Sequence, residues 1–497
     1  LFAQLRKAGL IQSVRGALGG YVLSKPPAEI LVSDIMNVLE GTVEISDCID
    51  ETSCANMDCC ATRLLWVKIK DSIDQVLEST TLADIVVDYD KLKENREGVK
   101  MDKNKVYMDY AATTYVKPEV TVEMLPFMQE FFGNPSSIYA LSRDTQLGIE
   151  KARNRVAKVL NASKDEIYFT GGGSEADNWA LKGVAFALKQ RGNHIITTKI
   201  EHHAILHACE FLAKNGFDIT YLPVDQYGFV NPEDVKRAIT DKTILVSVMF
   251  ANNEIGTIEP IKEIGAICRE RKVLFHTDAV QAVGHIPIDV KEMNIDLLSL
   301  AAHKFYGPKG VGALYVRKGV KLENLIHGGG QERGRRAGTE NIAGIVGLGK
   351  ALELAAAEIE TENRKLLRLK DKLIEGLLKI PYTKLNGPVD ERRLPGNVNV
   401  CFEFIEGESI LLLLDSMGVC ASSGSACTSG SLDPSHVLVA IGVPPEIVHG
   451  SLRLSMGSGT DAEDVEKVLT VLPGIVERLR SMSPLWREYQ NKEMIAQ

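Results

Sequence analysis

The chain predicts an α/β fold, a mainly parallel sheet covered by helices, with a smaller α/β domain beside it and a separate unit in front. Three observations carry this. At 497 residues the sequence is too long for one compact core. From Val106 onward, apolar strand-like runs alternate with helical stretches, the pattern of βαβ units. Residues 88–105 are rich in Lys, Glu, Asp and Asn and poor in apolar side chains, which marks a linker between two bodies.

The front unit, 1–88, opens with a helical stretch at Leu1–Leu10, followed by a glycine-turned hairpin at Val14–Leu23. Ser33-Asp34-Ile35 then caps a short helix, a cysteine cluster follows, and Leu64–Glu78 repeats its apolar residues every 3.6 positions. Because the chain begins with Leu, inside a helix already under way, it reads as a piece of something longer; Met101 would serve as a second start. Beyond the linker, strands are expected at Ile167–Thr170, Ile195–Thr198, Ile244–Phe250, Val273–Thr277 and Gly312–Val316, then a long helix at about Ile342–Leu378. The expected division of 106–497 is a large domain at about 120–370 and a small one from the remaining parts.

A net charge of −9 argues against a nucleic-acid surface spread over the whole molecule. No apolar run approaches the roughly 20 residues that span a bilayer, and no signal peptide is visible, so a cytoplasmic protein without a membrane partner is expected. The nine cysteines, an odd number unevenly placed, favour metal binding or catalysis over a disulfide framework.

Four features carry chemistry. Cys427 sits in Ser422-Ser-Gly-Ser-Ala-Cys-Thr-Ser-Gly-Ser431, a run of small residues that reads as a tether for a travelling thiol, or as an ordinary surface loop. Lys304 follows a buried strand into a Gly/Pro turn, as a Schiff-base lysine would, or as a lysine snorkelling at a strand end would. Asp278 closes a strand where α/β folds place ligands, and an acid there would pair with a protonated pyridine nitrogen. Thr170-Gly-Gly-Gly-Ser174 joins a strand to a helix and offers free N–H groups to a phosphate, though glycines also simply make turns. Lysine, acid and phosphate cradle together are the parts of a pyridoxal-phosphate site.

Residues from about 106 to 488 resemble the cysteine desulfurases of the pyridoxal-phosphate fold-type I class. The resemblance lies in Met108–Thr114, Gly133-Asn-Pro-Ser-Ser137, Glu201-His-His203, Asn252-Asn-Glu-Ile-Gly256, Asp278-Ala-Val-Gln281, His303-Lys304, Gly338-Thr-Glu340 and the Cys427 loop. The Cys427 loop looks like that of the long-loop subgroup, which hands sulfur to protein acceptors. The resemblance implies that pyridoxal 5'-phosphate is bound by Lys304 as a Schiff base, by Asp278 at the ring nitrogen, by Gln281 at the ring hydroxyl and by His202 stacked on the ring. It implies Asn253 beside ring and substrate, Gly173, Ser174 and His303 on the phosphate, Thr339 from the partner subunit of a homodimer, and Arg453 on the substrate carboxylate.

The reaction so implied converts L-cysteine to L-alanine, with Lys304 or His202 moving protons and Cys427 taking the sulfur as a persulfide. A protein acceptor, such as a scaffold for iron–sulfur cluster assembly, is the expected partner. Two departures stand out: Ala301 occupies a place where relatives often carry a phosphate-binding Ser, and Tyr139 one where many have His. Selenocysteine lysis on the same scaffold is the alternative chemistry.

Cys48, Cys54 and Cys60 are spaced by five residues each, with Cys59 adjacent, which does not fit the paired spacing of a zinc ribbon and suits an iron–sulfur cluster better. Residues 1–88 resemble the C-terminal part of the winged-helix regulators that sense such clusters, through Leu5–Leu10, Ser13–Gly16, Gly19-Gly-Tyr21, Glu40-Gly41, the cysteines and Thr80–Asp84. Some members of that family place a fourth ligand, His, where Arg63 stands, and no His precedes His194, so Cys59 or an outside ligand would have to serve. The resemblance starts inside the recognition helix, leaving Arg6, Lys7 and Arg15 without the helices that would position them, so DNA binding is not expected. The contrasting reading is a DNA-binding regulator whose catalytic half is secondary.

Overall fold

The structure, a computed structural model, describes residues 2–14, 20–41, 60–87, 105–423 and 434–496. It divides into two compact units, 1–100 and 101–497. Cys48, Cys54, Cys59, Cys427 and nearly all of the charged run lie outside the described residues.

In the first unit, α1 (Phe2–Lys7) leads into an antiparallel pair, β1 (Ile11–Val14) and β2 (Gly20–Leu23), with Ile11 opposite Leu23. Helices α2 (Val32–Leu39) and α3 (Ala61–Ser79) follow. The start of α2 differs from the expected Ser33-Asp34 cap: Leu31 is the cap position, and the Asp34 carboxylate reaches back from the first turn to accept the Leu31 N–H at 3.3 Å. An acid there still satisfies an orphan donor and opposes the helix dipole. Among the described residues of this unit only Leu10, Ile11 and Ile30 are buried apolar side chains, so its core is thin.

In the second unit, β3 (Val106–Tyr107) and α4 (Leu141–Leu160) precede β4 (Ile167–Thr170), α5 (Gly173–Ala187), β5 (His194–Thr198), α6 (His203–Lys214), β6 (Asp218–Leu222), β7 (Thr243–Ser247), β8 (Leu274–Asp278), β9 (Leu297–Ala301) and β10 (Gly312–Val316). The seven strands from β4 to β10 form one sheet in the order β4-β10-β9-β8-β7-β5-β6. Only β10 runs against its neighbours, so the sheet is mainly parallel and the C-terminal ends of β4, β8 and β9 lie along one edge. That edge is where a ligand crevice belongs. β5, β7 and β9 are buried at every residue, as interior strands covered on both faces should be.

A 36-residue helix, α7 (Ile342–Leu377), starts at Asn341, whose side chain accepts the Gly344 N–H at 3.1 Å. It serves two cores. Ile345 to Ala355 pack beneath the large sheet, and Leu366 to Leu377 join a second apolar cluster with Val106, Val398 and Leu454. That second cluster backs a small antiparallel sheet, β11 (Thr383–Leu385), β12 (Asn397–Phe402) and β14 (Ser451–Ser455), while β13 (Val419–Cys420) pairs in parallel with β3. Helices α8 (His436–Ala440), α9 (Ala462–Met482) and α10 (Pro484–Ala496) complete the unit.

Candidate active site

The strand ends converge on a cavity of about 290 Å³ whose lining includes nine of the predicted side chains or backbone positions. β9 carries the chain into a tight turn, Ala302–Lys304, that throws Lys304 across the cavity floor, where its Nζ donates to Ala111 O at 2.6 Å and Ala112 O at 2.8 Å. Gln281 donates to the same Ala111 carbonyl at 2.9 Å, so lysine and glutamine meet at one acceptor.

Asp278 ends β8, buried, with one oxygen accepting the Val280 N–H at 2.9 Å. Burial pushes its carboxyl up, against the pull of His202 and Lys304. His202 caps α6 by accepting the Ala204 N–H on Nδ1 at 3.1 Å, which fixes the ring beside Asp278.

Gly173 and Ser174 open α5, so the unsatisfied N–H groups of a 15-residue helix face the cavity. At Gly173 a Cβ would meet Val280 at 2.8 Å, a close approach that only glycine permits. His303 borders the same end, its Nδ1 3.2 Å from Thr113 Oγ1, and burial together with Lys304 and Lys309 pushes its pKa down to about 4, so the ring is neutral near pH 7. Ala301 also lines this cavity and brings no hydroxyl to it.

Arg453, in β14, enters from the small sheet with its side chain only 3% exposed. Nη1 donates to Asn253 O at 3.1 Å and Nη2 to Asp109 Oδ1 at 2.8 Å. Its Nε, buried, has no hydrogen-bond partner among the described residues. The Asn253 turn is stapled from within, since the Asn252 side chain accepts the N–H groups of Glu254 and Ile255 at 2.8 and 3.0 Å.

Thr339 is exposed and does not line the cavity. Cys427 lies outside the described residues, but both flanks of its segment end at the site. On one side Ser422 pairs with Arg453 through two backbone hydrogen bonds, 2.6 and 3.2 Å. On the other, Ser435 Oγ donates to Glu254 at 2.5 Å and His436 Nε2 lies 2.9 Å from Glu201 O.

Sequence reasoning missed several groups. Asp109 lies in a quoted motif but meets Arg453 across 344 residues, a pairing with no local signal. Asp177 borders the cavity fully buried, its carboxyl held well above the usual range by burial and by Asp278. Burial also pushes Glu201 up to about 8 and Glu254 up to about 7.

Residues 106–468 match the family Aminotransferase class-V. The chain belongs to the class-V aminotransferases. Its relatives include "Cysteine desulfurase IscS" of Clostridium botulinum (strain Hall), 66% identical over 392 residues that make up 78% of this chain and 99% of the relative. The protein of the same name from Methanosarcina thermophila is 62% identical, covering 79% of this chain and 98% of its own length. Among solved structures, a "NIFS-LIKE PROTEIN" superposes with a TM-score of 0.72 at 40% identity, covering 76% of this chain and all of that one. "SspA in complex with cysteine" superposes with a TM-score of 0.64 at 38% identity, covering 71% and 99%. Residues 1–88 match a second family, Rrf2, described as an iron-dependent transcriptional regulator.

Class-V aminotransferases use pyridoxal phosphate, and this cavity fits it. A buried acid whose ionisation is suppressed by desolvation needs a cation such as a pyridinium; a lysine points inward; and a helix N-terminus with a glycine cradle awaits an anion. In this class-V aminotransferase the three lie along one sheet edge, as the sequence led us to expect.

Proposed function

We propose that this chain is a cysteine desulfurase that converts L-cysteine to L-alanine and carries the sulfur away as a persulfide on Cys427. The observation that carries the reading is the convergence of Lys304, Asp278 and Arg453 on one cavity, to which both flanks of the Cys427 segment are fastened. Pyridoxal phosphate supplies the electron sink. Lys304 holds it and moves the proton at the substrate carbon, while Asp278 keeps the ring nitrogen protonated. Gln281 would meet the ring hydroxyl, His202 would stack on the ring and serve as the second proton carrier, and Gly173, Ser174 and His303 would hold the phosphate. Arg453 binds the α-carboxylate with Asn253 beside it. The Cys427 thiolate would attack the substrate sulfur; the sulfur–carbon bond would break with its electron pair left on the carbon side, and a proton delivered there by Lys304 or His202 would give alanine. Thiol plus cysteine yields persulfide plus alanine, with no outside oxidant.

The enzyme acts as a homodimer in which Thr339 completes the partner subunit's phosphate site, a reading favoured by its exposure and by the exposed apolar side chains Val122, Met128, Phe132 and Ile138. The sulfur goes to a protein acceptor for iron–sulfur cluster assembly in the cytoplasm. Residues 89–105 join the catalytic part to the front module; within 106–497, about 120–370 form the large domain. Cys48, Cys54 and Cys60, with Cys59 or an outside ligand, hold an iron–sulfur cluster. Cys60 supports this: it precedes α3, and the Arg63 and Thr62 N–H groups lower its thiol pKa, favouring the thiolate a metal needs.

The test is alanine and persulfide formation from L-cysteine by the full chain. Wild type should release alanine and carry one sulfane sulfur on Cys427, and Cys427→Ser should lose sulfur transfer. Undiminished transfer by Cys427→Ser would remove the nucleophile assignment, and protein without Schiff-base absorbance would remove the cofactor.

A further inference from the structure

Arg453 is gripped before any substrate reaches it. A guanidinium is planar, so holding both Nη atoms, one by the Asn253 carbonyl and one by Asp109, also fixes where Nε points. Nε is the one buried side-chain nitrogen of Arg453 without a partner among the described residues, and one N–H on each Nη is also left over. Asp109 is itself held. Its backbone bridges to Ser455, two residues along β14 from Arg453, and its carbonyl accepts the Tyr107 hydroxyl at 3.1 Å. Acid and arginine are thus set by the same strand.

An acid in this place has two effects that pull apart. It orients the fork, which aids an incoming carboxylate. Its charge also competes with that carboxylate for one cation, which weakens binding. Alanine, the product, keeps the same α-carboxylate as cysteine, so Arg453 holds both alike, and a counter-charge that loosens this grip eases product release at the cost of weaker substrate binding.

We propose that Asp109 is a positioning residue that fixes the plane of the Arg453 guanidinium in the cavity wall and, by its charge, limits how tightly Arg453 takes an α-carboxylate. The inference rests on reading the site as one for an α-amino acid.

The test uses full-length, cofactor-loaded wild type, Asp109→Asn and Asp109→Ala, with folding checked by circular dichroism. Three quantities are read: the spectral titration of the cofactor with L-alanine, the same titration with ethylamine, which is alanine without its carboxylate, and KM and kcat for L-cysteine. Asparagine keeps an acceptor for Nη2 and drops the charge. Asp109→Asn should therefore tighten alanine and lower the KM for cysteine by roughly 3- to 10-fold, the scale of a partly exposed ion pair. Asp109→Ala loses the grip as well and should weaken both by roughly 10-fold or more, the scale of a lost charge-assisted hydrogen bond. Ethylamine should shift by less than about 2-fold in either variant, since no carboxylate meets Arg453. A residue with only a structural role would move both variants the same way and both ligands together; that result overturns the proposal. If Asp109→Ala does not fold, Asp109→Asn against wild type decides by the sign of the alanine shift. Wild type that binds no alanine at all overturns the amino-acid reading itself.

Discussion

Glu201 keeps one carboxylate oxygen on the Met249 N–H and the Thr198 hydroxyl, both at 2.9 Å, and buries the other without a partner among the described residues. Desolvation lifts its pKa from 4.5 to about 8, so the folded chain keeps a proton that the unfolded chain gives up. The stability this confers is complete below the unfolded value and is lost as pH rises through about 8. The thermal midpoint should fall between mildly acidic and mildly alkaline pH, and Glu201→Gln should flatten that fall; parallel profiles for the two proteins in circular-dichroism melts would refute it. At Asp278 the expectation concerns chemistry. Asp278→Asn should still load cofactor, because Lys304 and the α5 cradle remain, while alanine release drops by roughly 10²- to 10³-fold. Wild-type turnover in that variant would exclude the ring-nitrogen role. Lys304, Asp278 and Gly173 were legible in the sequence because each sits where a strand ends, and strand ends announce themselves in apolar runs. Asp109, Asp177 and Glu201 were not, since their meaning comes from contacts with distant segments and from burial, neither of which leaves a local pattern.

The loop that carries Thr339 is tied to the main sheet by a buried ion pair. Arg153, in α4, holds Glu332 through both carboxylate oxygens at 2.8 and 2.9 Å, and Glu332 also accepts the Phe169 N–H of β4 at 3.0 Å. Glu332 and Arg333 both adopt positive φ, 47° and 58°, so the pair holds a turn that the backbone alone resists. Glu332→Ala leaves the buried Phe169 N–H unanswered and strips the buried Arg153 guanidinium of its bidentate partner, leaving it Ile167 O at 2.7 Å and Glu150 at 3.3 Å, and we expect it to cost about 3–5 kcal/mol in denaturant unfolding. Arg153→Met with Glu332→Leu should cost less, because no orphaned charge remains; a double variant worse than Glu332→Ala would contradict the desolvation argument. At this scale the sequence was readable where strands were buried on both faces. β6 was missed because Asp218-Ile-Thr-Tyr-Leu222 is an edge strand, exposed or half-buried at four of its five residues, with few β-branched apolar residues in a row. The expected strand at Ile244–Phe250 ends at Ser247, although the Val248 and Phe250 N–H groups still donate to the His276 and Asp278 carbonyls of β8 at 3.1 and 2.8 Å.

The whole chain joins a sulfur-mobilising enzyme to a match for an iron-dependent regulator, and both halves were legible in the sequence as resemblances. What holds the front unit together was less so. Three buried apolar side chains are few for the roughly sixty described residues of this unit, and small bodies short of core commonly gain stability from metal ligation. Replacing Cys48, Cys54, Cys59 and Cys60 together by serine in the full chain tests this directly. Protein purified without oxygen should contain iron and a cluster absorbance beside that of the Schiff base. The fourfold variant should lose the iron and the front unit's protease resistance, since serine is a poor ligand for a soft site. Alanine release from cysteine should stay within about 2-fold, because Lys304, Asp278, Arg453 and the Cys427 segment all belong to the second compact unit. Iron retained by the variant would place the metal elsewhere, and a matching loss of alanine release would mean that the front unit reaches into catalysis.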